Sequence, residues 1–143
     1  MFALKWMPVS LVFNHSGVQA ELGKEFSLKE AKICASGYHA SPDFLGVMNW
    51  SGHGRILCAV KLSGEFDYPD NDHTKLCASK IEIIAVYDFS KDNKNPATWE
   101  TRRTNPKYAK LKILESLQKR MNSRKKHAKL AKAAFYYFSA MKV

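Results

Sequence analysis

Lys80-Ile81-Glu82-Ile83-Ile84-Ala85-Val86-Tyr87 is the stretch on which the fold of the first two-thirds of the chain turns. β-Branched residues dominate it, and Glu82 falls opposite to Ile81 and Ile83, so a strand with an apolar face is expected over residues 77–89. Working outward, shorter runs of the same kind occur at 2–7, 9–13, 18–26, 32–39 and 55–62, each bounded by turn residues. That spacing describes an antiparallel or mixed sheet rather than alternating βα units. One short helix interrupts the strands. Ser41 reads as its cap, Pro42 as its first position, and Phe44, Val47 and Met48, or Leu45 and Met48, recur at helical spacing before Ser51-Gly52-His53-Gly54 ends it. Ser63-Gly64-Glu65 reads as a turn into the acidic loop Tyr68-Pro69-Asp70-Asn71-Asp72-His73, expected to be exposed and mobile.

The period changes after the polar segment Ser90-Lys91-Asp92-Asn93-Lys94-Asn95-Pro96, the best boundary in the chain. Thr104-Asn105-Pro106 supplies a helix start. Tyr108, Leu111, Leu114, Leu117 and Met121 then form one helical stripe, and Leu130, Ala131, Ala134, Phe135, Phe138 and Met141 form a second. The fold class is therefore α+β: residues 1–94 form a small antiparallel or mixed sheet with one short helix, and residues 95–143 form one or two basic amphipathic helices. Between the two stripes lies a conflict. A helix starting at Asn122 or Ser123 would crowd Arg124, Lys125 and Lys126 at its positive dipole end, each at a cost of roughly 0.3–1 kcal/mol. Either one helix runs unbroken from about Pro106 to Ala140, or the helix breaks and an external anion compensates the cluster. No Gly or Pro interrupts the stretch, which favours the unbroken helix.

With 45% hydrophobic and 12% aromatic residues, 143 residues suffice for one real core. The longest apolar runs fall well short of the roughly 18 residues that span a bilayer. Nothing at the N-terminus resembles a secretion signal, so a cytoplasmic location without membrane contact is expected. Cys34, Cys58 and Cys77 sit in apolar, strand-like surroundings and are assigned to the core as free thiols. The net charge of +10 is strongly segregated. Residues 1–94 carry 10 Lys/Arg against 11 Asp/Glu, and residues 95–143 carry 13 against 2. Such a field raises encounter rates with nucleic acid, an acidic protein face or an anionic membrane surface.

Residues 33–84 contain Cys34-Ala35-Ser36-Gly37-Tyr38-His39-Ala40-Ser41-Pro42, Val60-Lys61-Leu62-Ser63-Gly64-Glu65 and Lys75-Leu76-Cys77-Ala78-Ser79-Lys80-Ile81. This pattern resembles an uncharacterised domain-of-unknown-function family of bacteriophages, other large DNA viruses and bacteria. The resemblance implies a phage or prophage origin and carries no established activity; the basic tail falls outside it. Tyr38-His39-Ala40-Ser41 is also similar, more faintly, to the Tyr-His-Gly-Thr-like strand end of ADP-ribosyltransferases, and Glu82 is then the candidate for their strand glutamate. That resemblance implies a dinucleotide-binding transferase, although Ala40 replaces the glycine and Glu82 lacks the usual Gln/Glu-x-Glu setting.

His39, after an aromatic residue at a strand end, is well placed for a functional imidazole, against the plainer reading of a histidine bonded into a turn. Cys34, His39, His73 and Cys77 make up a Cys2His2 set whose spacing lies outside the tight zinc patterns, so no metal is expected. No spacing selects a nucleophile with a base and an orienting acid, and Gly52-His53-Gly54 lacks the parts of a phosphate loop. The residues therefore select no enzyme and no cofactor. The most informative feature is the tail, where Lys119, Arg120, Arg124, Lys125, Lys126 and Lys129 are the expected phosphate contacts and Tyr136 and Tyr137 candidate base-stacking rings. The functional expectation is a small phage-type accessory protein that binds nucleic acid or a host nucleoprotein complex. The alternatives are an inhibitor of a host enzyme or defence complex, meeting an acidic surface, and an NAD-binding, ADP-ribosyltransferase-like domain.

Overall fold

A computed structural model describes residues 1–33, 35–49, 55–69, 74–91, 105–123 and 127–143. Its sheet is built on a long hairpin, β4 (Ile56–Asp67) and β5 (Leu76–Asp88), which contains the isoleucine-rich stretch. β1 (Phe2–Met7) pairs with the free edge of β4, while β2 (Glu25–Ser27) and β3 (Tyr38–Ala40) pair side by side along β5. All four ladder pairings are antiparallel. Beyond β3, Ser41 exchanges two 2.8 Å backbone hydrogen bonds with Leu4 of β1, so the sheet closes on itself at one end.

Alternation along the strands divides the core in two. Ala3, Met7, Cys58, Val60, Leu62, Ile81 and Ile83 face one side, where Phe13, Ala20 and Tyr38 cover them. Leu4, Leu57, Ala59, Ile84 and Ala85 face the other, where the helices lie. A register shift after Ala59 leaves Ile84 as the extra residue and lets the consecutive Ile84 and Ala85 serve the same core. α1 (Phe44–Asn49) buries Phe44 and Val47, and the Trp6 indole N–H donates to the Val47 carbonyl at 2.9 Å. α2 (Pro106–Met121) begins as expected: the Asn105 side chain accepts from the Lys107 and Tyr108 amides and Pro106 occupies the first turn. α3 (Ala128–Ser139) returns antiparallel to it, with the Lys110 ammonium in the first turns of α2 bonded to the carbonyls of Ser139, the last residue of α3, and of Met141 just beyond it.

Several expectations are corrected. The expected unbroken helix is a hairpin. α2 stops at Met121, the Asn122 amide closes on the Gln118 carbonyl, and the Ser123 hydroxyl donates to Arg120 at 2.7 Å. The turn allows Ile113 and Leu117 of α2 and Ala131, Ala134 and Phe138 of α3 to share one core, which a straight rod of about 50 Å could not do over so small a sheet. The α2 stripe is also rotated: Ala109, Ile113 and Leu117 are buried and Leu111 is 51% exposed.

Residues 9–13 and 18–26 form no long strands. Leu11 adopts φ 55°, outside the β region, and only single pairs, Val12 with Gln19 and Leu22 with Ile83, link them to neighbours before β2. Residues 32–39 shrink to Tyr38–Ala40 because Gly37, at φ 100°, bends the chain over β5, where a Cβ would lie 3.2 Å from the Ala78 carbonyl. Ser41 does not cap α1; it belongs to the sheet closure, and Asp43 caps instead, its carboxylate accepting from Gly46 N–H at 2.6 Å. Ser63-Gly64-Glu65 is a bulge inside β4 rather than a turn. Gly64 takes φ 79°, and the Ser79 hydroxyl, which accepts from the Glu65 amide at 2.8 Å, occupies the space a side chain at 64 would need. The turn 51–54, most of the acidic loop, and Cys34 lie outside the described residues; Cys58 and Cys77 are buried in the core as expected.

Candidate functional site

Two places gather chemistry, one in the tail and one in the sheet. The first is the turn end of the helical hairpin. Lys119 and Arg120 close α2, Lys129 stands in the first turn of α3, and the antiparallel packing brings these ends together. Arg124, Lys125 and Lys126 stand between them in sequence and lie outside the described residues. Among the described residues none of Lys119, Arg120 or Lys129 forms an ion pair. Lys110 and Lys112 are engaged elsewhere: Lys110 binds the carbonyls at the end of α3, while Lys112 pairs with Glu115 at 3.5 Å and lies over the Tyr87 and Tyr108 rings.

α3 begins without a side-chain cap and with no acidic residue in its first turn. Its free amides and positive dipole end therefore meet cations rather than carboxylates. Glu82 supplies the exception, its carboxylate 3.3 Å from Nδ1 of His127 at the α3 cap position. Beside this end, Ser116, Lys119, Arg120 and Ser123 form one wall of an open concavity of about 420 Å³, with Tyr87 and Asp88 from the end of β5 also lining it. Tyr136 and Tyr137 do not join the site. They are exposed near the far end of α3, roughly 12 Å along the helix from its start, and Tyr137 packs on Phe2 with ring centroids 5.5 Å apart.

The second place surrounds His39. Its strand partner is Cys77, and Glu82 lies five positions further along β5, roughly 16 Å away, so these two candidates serve different sites. Around His39 the structure instead assembles Lys5, His15 and Lys75, none of which sequence reasoning selected. Lys5 alternates with Ala3 and Met7 on β1, on the core side of the strand. A charge at such a position is the signal that could have found it. Its ammonium donates to the His39 carbonyl at 2.6 Å, the side chain as a whole being partly buried. Burial lowers its pKa from 10.5 to about 8, with the Cys58 side chain opposing the shift slightly. The His39 imidazole is pushed below its ordinary 6.5 by burial first and then by Lys5, His15 and Lys75. Cys58, the strand partner of Lys5, has its thiol pushed up to about 12 by burial.

Residues 1–93 match a family described as a domain of unknown function, DUF7666. The chain belongs to this family. The DUF7666 domain thus contains the whole sheet and the His39 surroundings, while the helical hairpin lies beyond the matched residues. Within these residues the Ser63-Gly64-Glu65 and Ala78-Ser79-Lys80 segments meet at the β4 bulge, and Gly37 crosses the same end of β5, so these residues have architectural roles. Neither a curated protein nor a solved structure matches the chain. Among the described residues no three His, Cys, Asp or Glu side chains gather for a metal ion, and of the Cys2His2 set Cys34 and His73 lie outside them. No described helix is long and apolar enough to cross a membrane.

Proposed function

We propose that this protein acts by binding nucleic acid, alone or within a nucleoprotein complex, at the turn end of its C-terminal hairpin. The observation that carries the reading is the break between α2 and α3. It leaves the positive end of α3 uncapped, with Lys129 in its first turn and Lys119 and Arg120 beside it, an arrangement an external phosphate relieves. Backbone amides at a helix start and unpaired cations recognise phosphate oxygens without reading base sequence, so the contact is a positioning one. The resemblance of residues 33–84 to phage and large-virus sequences makes the cytoplasm of an infected host the setting we infer.

Fluorescence anisotropy with a labelled DNA duplex and a labelled RNA strand at low salt tests this. Wild type binds at least one of them, and the triple variant Lys119→Gln/Arg120→Gln/Lys129→Gln binds several-fold more weakly while keeping its circular dichroism spectrum. Wild type that binds neither, yet retains an acidic host protein after nuclease treatment, would replace this reading with that of a protein-protein inhibitor.

A further inference from the structure

We propose that the two adjoining cavities around Lys5 and His39 form a binding site for a small organic anion, an oxyanion head joined to a flat apolar body. The site belongs to the sheet domain and is independent of the hairpin. One cavity, of about 230 Å³, is walled by Leu4, Trp6 and Val47 on its apolar side and by Lys5, His39 and Lys75 on its basic side. The other, of about 130 Å³, reaches from Lys5 and His39 to Asn14, His15 and Ser16. Lys5 and His39 line both, so they mark where the head of a ligand seated in the larger cavity would lie.

Charge and hydrogen bonding point the same way. An ammonium has three N–H donors, and Lys5 uses one of them on a protein acceptor, the His39 carbonyl. Lys75, His39 and His15 are also basic, and no carboxylate lines either cavity among the described residues. Withdrawing a lysine ammonium from water is expensive, so one turned to the core side of a sheet ordinarily has a compensating negative charge. Here no described residue of the lining supplies that charge to Lys5, an arrangement that costs stability in the empty protein and favours an incoming anion. Joining the Leu4–Ser41 closure to β3 explains the one carbonyl contact; it does not explain imidazoles and a second lysine around the same ammonium.

The body is set by the apolar wall. A cavity of about 150 Å³ lined by aliphatic and aromatic side chains takes up benzene, so the larger cavity has room for a ring. Trp6, held by its N–H on the Val47 carbonyl, offers a fixed flat surface.

The test uses the full chain and four probes: phenyl phosphate, benzoate, inorganic phosphate and the neutral benzyl alcohol. Thermal shift and titration calorimetry should show saturable binding of phenyl phosphate or benzoate, weaker binding of inorganic phosphate, and none of benzyl alcohol. Whichever ring-bearing anion binds tighter identifies the head group. Lys5→Met should lose roughly tenfold or more in affinity, and His15→Gln, at an exposed position, should weaken binding without altering the fold. The hairpin triple variant should bind as wild type does. The proposal is overturned if neither ring-bearing anion binds, if benzyl alcohol binds equally well, or if binding survives in both Lys5→Met and His15→Gln but vanishes in the hairpin variant.

Discussion

Lys5 titrates in a window that separates it from its neighbours. In the unfolded chain it holds its proton to about 10.5, and in the folded protein only to about 8. Between these values the unfolded state binds more protons, so stability rises with pH across that interval. Cys58 acts in the opposite sense: its thiol stays protonated to about 12 when folded against 9.0 unfolded, which lowers stability above pH 9. The depressed His39 and N-terminal groups act below their ordinary values of 6.5 and 8.0. From pH 8 to 9, then, the Lys5 contribution stands nearly alone. Urea denaturation should show wild type gaining stability over that unit and Lys5→Met gaining markedly less, with Lys5→Met at least as stable as wild type at pH 7 because a partly buried cation has been replaced by an apolar chain of similar shape. Equal pH slopes in the two proteins would show that the Lys5 ammonium is not held at a cost. His39 was legible in the sequence from its place at a strand end. Its companions were not, because His15, Lys75 and Lys5 come from segments up to 70 positions apart that only the sheet closure brings together.

At the scale of elements, legibility followed the strength of the local pattern. The isoleucine stretch, β1 and the Asn105-Pro106 start of α2 carry unopposed local signals, and all three stand where expected. The strands expected at 9–13 and 18–26 carried alternation too, yet the long edge of β5 is occupied by the short β2 and β3, and the remaining segments cover the sheet face with Phe13 and Ala20. The phase of α2 was misread for a different reason. Leu111 and Ile113 are both apolar and 200° apart on the helix, and only packing against the sheet and α3 decides which faces inward. A pair of truncations checks this. Ile113→Ala should cost about 2–5 kcal/mol in a denaturation experiment, as a buried aliphatic residue does. Leu111→Ala, at a half-exposed position, should stay within about 0.5 kcal/mol. Equal costs would mean that the hairpin docks by another face.

Over the whole molecule, the chain divides by charge but not by packing. The nearly neutral sheet and the basic hairpin share one hydrophobic core, with Leu57, Ala59 and Ile84 of the sheet against Ile113, Leu117 and Phe138 of the hairpin. Segregation of charge was readable from composition alone. That Lys110 and Lys112 would be spent on structure, while Lys119, Arg120 and Lys129 meet at one end, depended on a helix break that no glycine or proline announced. The shared core seats the hairpin against the sheet, and at its turn end Lys119 and Lys129 are exposed, where a macromolecule can reach them. The dependence of binding on salt measures the contact most directly: log affinity for duplex DNA plotted against log salt for wild type and for Lys119→Gln/Arg120→Gln/Lys129→Gln. The account predicts a steep negative wild-type slope that becomes shallower by about 0.9 for each phosphate contact removed. Identical slopes in the two proteins, or wild-type affinity that ignores salt, would contradict it.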